Sequence, residues 1–257
     1  MVFPIGDDNR DRKSFPFVNY ILIALNIFVY VYWQGLGHND QFTFAYSTVP
    51  AEILTGHDIV TDSKVAINPL DGERFKIPGL EVTNIPVFLT LFTSMFMHGG
   101  LAHLAGNMLY LWIFGDNVED ALGHVKYLLF YLLCGVLAGL SHVFSSLVFG
   151  QSLLIPSLGA SGAISGMLGA YMRLFPGKGV HLWIFFLIIS VPAFIAVGVW
   201  FAFQVVNGLG ALGGEEAGGV AYAAHIGGFI FGLLLVGVFA KEFIAKRRAS
   251  RNKNRWI

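Results

Sequence analysis

Gly159-Ala160-Ser161-Gly162-Ala163-Ile164-Ser165-Gly166-Met167-Leu168-Gly169-Ala170-Tyr171-Met172-Arg173 is small or apolar up to its closing arginine, with a hydroxyl near its start. From Ser161 to Arg173 is about 13 residues, or roughly 20 Å of helix, short of a hydrocarbon core of about 30 Å. A helix this short that crosses a membrane must begin beneath one surface. The stretch before it, 152–160, contains Pro156 and Gly159 and would descend as irregular backbone. At that depth such backbone is tolerated only where protein buries it or it lines a wet cavity. Ser161 is therefore expected at a helix N-terminus, below the surface and beside water.

The rest of the chain supports a bilayer as its solvent. Of 257 residues, 55% are hydrophobic, 12% are charged and 24 are Phe, and the mean hydropathy is +0.66. That is too apolar for a water-soluble surface. The formal net charge is zero, with the charges gathered in the termini and one long loop, a pattern that offers nothing to nucleic acid. Cys134 is the single cysteine and lies among Leu132, Leu133 and Val136, so it is expected to pack. Residues 1–14 mix Asp7, Asp8 and Asp11 with Arg10, Arg12 and Lys13, unlike a transit peptide, and the first apolar run reads as a retained anchor.

Six segments have the length and apolarity to be considered as spans: 17–33, 100–115, 124–148, 161–174, 181–206 and 222–240. The expected fold is an all-α integral membrane bundle of six transmembrane helices over 17–240. Residues 1–16 form a cytoplasmic N-terminal segment, 34–86 a large external loop or collar between spans one and two, and 241–257 a basic cytoplasmic tail. Lys241, Lys246, Arg247, Arg248, Arg251, Lys253 and Arg255 face one acid, Glu242, beyond span six, which places the C-terminus inside by the positive-inside rule. Arg173 and Lys178 then fall inside, Glu215 and Glu216 outside, and spans two, four and six enter from the outer face. The glycine-rich stretch 208–219 is the expected cap over a site there, and span five its gate.

Polar residues in such segments are costly and point to function. His225, in Ala224-His225-Ile226-Gly227-Gly228, lies near the start of span six and so at the depth of Ser161, where an imidazole could take the serine proton. Span two opens with His98-Gly99-Gly100-Leu101-Ala102-His103-Leu104-Ala105-Gly106-Asn107. His103 and Asn107 share a helix face and can donate to an oxyanion, whereas His98 falls off that face and would brace the loop backbone. Spans four and six hold no Asp or Glu, so the arrangement reads as a dyad whose imidazole lacks an orienting partner. Plainer readings stand beside it. Gly162 with Gly166, and Gly228 with Gly232, have helix-packing spacing, and an intramembrane histidine can belong to a haem, a metal or a proton path. His98-x4-His103 lacks the carboxylate and cysteine partners of a zinc set, so no metal or cofactor is expected.

Together, His98-x4-His103-x3-Asn107, Gly159-x-Ser161-Gly162 and Ala224-His225-x-Gly227-Gly228-x3-Gly232 resemble the rhomboid intramembrane serine proteases. The resemblance implies that Ser161 is the nucleophile and His225 the base. His103 and Asn107, with the Ser161 N–H, would stabilise the oxyanion, while His98 and Glu119 would support structure. It further implies substrates that are transmembrane segments of other proteins, cut within membrane lipid. Ser165 stands where some members carry a tyrosine stacked on the histidine. The alternative is a catalytically silent rhomboid-like protein that binds transmembrane clients. A multi-pass protein of a prokaryotic inner membrane, with its site opening outward, is the expected location.

Overall fold

A computed structural model describes residues 2–67, 72, 74–212 and 220–253. It is mainly helical. The first apolar run forms α1 (Phe17–Phe28), extended by a π-helical turn over Val29–Trp33. The expected collar contains the short helices α2 (Asp40–Ala45) and α3 (Pro50–Thr55) and a hairpin of β2 (Lys64–Ile67) and β3 (Arg74–Ile77), and the short α4 (Thr90–Thr93) follows it. Then come α5 (Leu101–Leu122), α6 (His124–Val148) and the 14-residue α7 (Ser161–Leu174). After them follow α8 (Ala193–Leu212), α9 (Tyr222–Phe239) and α10 (Lys241–Lys253).

Among the described residues, α6, α9 and residues 193–210 of α8 are long and apolar enough to cross a membrane. The helical pieces over Val87–Phe96 joined to α5 through an 80° bend make a fourth candidate. The run Phe17–Trp33 and α7 are shorter.

Three expectations need correction. The chain is not all-α: β1 (Val2–Asp7) pairs antiparallel with β4 (Gly179–Ile184), which pairs with β5 (Leu187–Pro192). Span five accordingly does not start at 181, because the first part of that apolar run is the β4–β5 hairpin and the helix begins at Ala193. An unbroken apolar run has no periodicity to separate strand from helix. Here Val180, Trp183, Ile184, Ile188, Ile189 and Val191 favour a strand, and Pro192 closes it just before the helix. Third, α5 runs past residue 115 to Leu122 because its terminal acids are partnered. Arg12 donates to Asp116 at 2.5 Å, the Ser14 main-chain N–H and hydroxyl each donate to Asp120 at 2.7 Å, and Glu119 accepts the N–H groups of Val18 (3.1 Å) and Asn19 (2.7 Å). Those two donors have no acceptor within α1, so Glu119 caps that helix from a neighbouring one. The expected cap divides: residues 208–212 are the last turn of α8, while 213–219, with Glu215 and Glu216, lie outside the described residues.

The core is built on α7, whose small residues let α6 and α9 approach closely. A Cβ on Gly228 would fall 2.2 Å from Gly162 O, and one on Gly232 would fall 2.0 Å from Gly166 O. Backbone-to-backbone contact of this kind supplies dispersion where lipid offers no hydrophobic drive. At the far end from the α7 N-terminus, Tyr171 donates to Asp7, and Asn117 donates to both Asp7 (2.8 Å) and Asn9 (2.6 Å). The first strand is thus tied to the bundle.

Candidate active site

Ser161 is held by the collar. Thr48 and Ser157 exchange main-chain hydrogen bonds at 3.0 and 2.8 Å, the Gly159 N–H donates to Ser94 O at 2.8 Å, and Thr48 Oγ1 lies 2.8 Å from Ser94 Oγ. The descending backbone is therefore tied to its neighbours by main-chain hydrogen bonds and lines the cavity, one of the two settings in which irregular backbone is tolerated at depth. Gly159 has φ +124°, a conformation that side chains rarely adopt. A Cβ there would lie 2.8 Å from the His103 ring. Ser161 follows as the first residue of α7, so its N–H has no intrahelical acceptor. Ser165 turns its hydroxyl back to Ser161 O at 2.6 Å, and Gly162 meets Ala138 of α6 so closely that an added Cβ would be 2.7 Å from it.

His225 lies in the first turn of α9, its N–H on Ala221 O at 3.3 Å. Nε2 is 2.8 Å from Ser161 Oγ, and Nδ1 is 2.8 Å from Oε1 of Gln204 on α8. A carboxamide oxygen only accepts, so the ring proton is on Nδ1 and the Nε2 lone pair faces the serine hydroxyl. Trp200 and Tyr222 flank the imidazole with ring centroids 6.3 and 6.4 Å away. Gln204 is not a carboxylate and so does not stand out in the sequence; its signal is one of only two amides, with Asn207, in an otherwise apolar helix.

His103 and Asn107 line the same cavity of about 1600 Å³ as Ser161, Gln204 and His225. His103 Nδ1 accepts the Gly99 N–H at 3.4 Å, which leaves Nε2 as its donor. The Asn107 amide nitrogen has no acceptor among the described residues. His98 is fully buried, outside the cavity lining, with its ring edge-on to His103 at 5.2 Å. It acts through its backbone, gripped by Gln34, another residue the sequence did not reveal. No cluster of three metal-ligating side chains occurs among the described residues.

This geometry coincides with family likeness. A family model described as Rhomboid domain matches residues 86–242, which hold every cavity residue just named. The chain is 32% identical to Rhomboid protein 1, mitochondrial, of Saccharomyces cerevisiae, over 66% of this chain and 47% of that one. It is 30% identical to Presenilin-associated rhomboid-like protein, mitochondrial, of Homo sapiens, over 72% and 49%. It is 36% identical to Rhomboid protease GluP of Bacillus subtilis, over 60% and 28%. The chain thus spans about half or less of each of these relatives. Two of the three are named as mitochondrial, which conflicts with the expectation of a prokaryotic inner membrane, while the helices long and apolar enough to span a membrane agree with a membrane protein.

Proposed function

The chain belongs to the rhomboid family, and from that premise we propose that it is an intramembrane serine protease that cuts transmembrane segments of other proteins with Ser161 and His225. The observation that carries this reading is the 2.8 Å contact between His225 Nε2 and Ser161 Oγ at the wall of a large cavity. In the proposed reaction Oγ attacks a peptide carbonyl carbon while its proton passes to Nε2. The oxyanion takes hydrogen bonds from the Ser161 N–H, His103 Nε2 and Asn107 Nδ2, aided by the positive end of the α7 dipole. Nε2–H then returns the proton to the departing amine, leaving an acyl-enzyme that water, activated by the same nitrogen, hydrolyses. No metal or cofactor takes part.

We read six spans: the Phe17–Trp33 run, α5, α6, α7, α8 and α9, with both termini on the side of the basic residues of α10 and the cavity opening opposite. A helical substrate hides its carbonyls in its own hydrogen bonds, so cleavage should favour segments weakened by Gly, Pro or small residues. The test is labelling by a fluorophosphonate, with cleavage of a glycine-bearing transmembrane reporter. Wild type should label and cleave, and Ser161→Ala and His225→Ala should do neither. A folded wild type that does neither would leave a client-binding protein in place of a protease.

A further inference from the structure

We propose that Gln204 is a positioning residue for His225, fixing the imidazole tautomer that can accept the serine proton. The inference rests on the protease reading above and extends it from a dyad to a relay whose third member is uncharged. Ser161 Oγ, the imidazole and Gln204 Oε1 follow one another at 2.8 and 2.8 Å, on opposite nitrogens of one ring. If Nδ1 lost its proton to Nε2, two lone pairs would face each other across the Gln204 contact. The Nε2–H would then block the base.

The setting of Gln204 argues that the contact is its purpose. Helix α8 carries no charged residue, and its two polar side chains behave differently. Asn207 is half-buried and donates to its own helix at Phe203 O, 2.7 Å away. Gln204 is only 7% exposed and reaches across to α9. A buried amide without a partner is expensive, and a carboxylate here would be more so in a membrane. The amide oxygen orients the ring and strengthens its bond as the imidazole gains positive charge, without burying an anion. Among the described residues, the titratable groups on the other walls of the cavity are His103 and Tyr110 on α5, His142 on α6 and Tyr222 on α9; none of them is hydrogen-bonded to Nδ1. Apolar contact holds α8 beside this point, with Phe201 stacked on Phe229 at 4.1 Å. Displacing α8 therefore releases the histidine.

The experiment compares wild type with Gln204→Leu and Gln204→Glu in detergent. Three readouts are taken: ring-nitrogen NMR shifts of His225, kcat and KM on the transmembrane reporter, and the pH profile. Wild type should carry its ring proton on Nδ1. Gln204→Leu should show a mixture of tautomers and lose kcat by about 10- to 100-fold with KM little changed, since the oxyanion donors remain. Gln204→Glu should restore the Nδ1 tautomer, recover most of kcat, and move the acid limb of the profile to higher pH, because a carboxylate favours the imidazolium. Labelling of Ser161 by the fluorophosphonate and an unchanged unfolding midpoint in Gln204→Leu exclude misfolding as the reason for its defect. A proton on Nε2 in wild type, or a Gln204→Leu variant with unchanged tautomer and kcat, overturns the inference. Wild type that carries the Nδ1 proton, loses it in Gln204→Leu, yet never labels with fluorophosphonate overturns the protease reading and leaves the positioning role standing.

Discussion

Gln34 holds the main chain of His98 with both ends of one carboxamide: Nε2 donates to His98 O at 2.9 Å and Oε1 accepts the His98 N–H at 2.8 Å. Both residues are fully buried, so removing the amide strands a donor and an acceptor away from water. Gln34→Ala should therefore lower stability by about 2–6 kcal/mol, the sum of two such losses, read as a lower midpoint of thermal unfolding in detergent. His98 leads into the α5 turn that carries His103, so the variant should also cleave more slowly while its serine still labels. An unchanged midpoint would show that the grip is dispensable.

Gly159 is constrained twice over. Its φ of +124° disfavours any side chain, and a Cβ would press into the His103 ring at 2.8 Å. Gly159→Ala should cost about 1–3 kcal/mol in backbone strain and push His103 out of place. We expect cleavage to fall by at least about tenfold, since sub-ångström misplacement near reacting atoms carries such losses. Gly150, with φ +65° and open space about it, is the control: Gly150→Ala carries only the conformational strain and should cleave normally.

Much of this was legible in the sequence, for identifiable reasons. The shortness of the Ser161–Arg173 run required a buried helix start, and α7 begins at Ser161. The i, i+4 spacing of His103 and Asn107 required a shared face, and both line the cavity. What stayed hidden depended on partners distant in sequence. The β4–β5 hairpin looked like helix because its apolar run has no period, and only β1, more than a hundred residues earlier, completes its sheet. Gln204 and Gln34 are neutral amides whose roles exist only once α8 meets α9 and the α1 run meets the start of α5. Glu119 stands out only through the family resemblance, as a structural residue, and not as the cap of another helix.

The two side chains offered to the oxyanion should behave alike when removed one at a time. Asn107 Nδ2 has no acceptor among the described residues and His103 Nε2 is left as a donor by the Gly99 contact, so each can serve the developing charge. Asn107→Ala and His103→Ala should each reduce kcat by about 100-fold with KM nearly constant, as expected of bonds made mainly in the transition state. A change confined to KM would instead mark them as substrate-binding groups.

The collar carries a pH dependence of its own at Glu52. Burial pushes its carboxyl above the ordinary value of 4.5, and the nearby Asp58 charge adds to this against the opposing hydrogen bond from the Ile59 N–H. The folded chain therefore binds this proton more tightly than the unfolded chain. Its contribution to stability is fully present below the ordinary value and is lost as pH rises through the raised one. Glu52→Gln keeps the shape without the charge and should raise the unfolding midpoint near pH 7. That advantage over wild type should shrink as the pH is lowered toward about 4. Comparing the two proteins at each pH cancels the titration of every other group. A difference that stays constant with pH would show that Glu52 is ionised as easily in the fold as out of it.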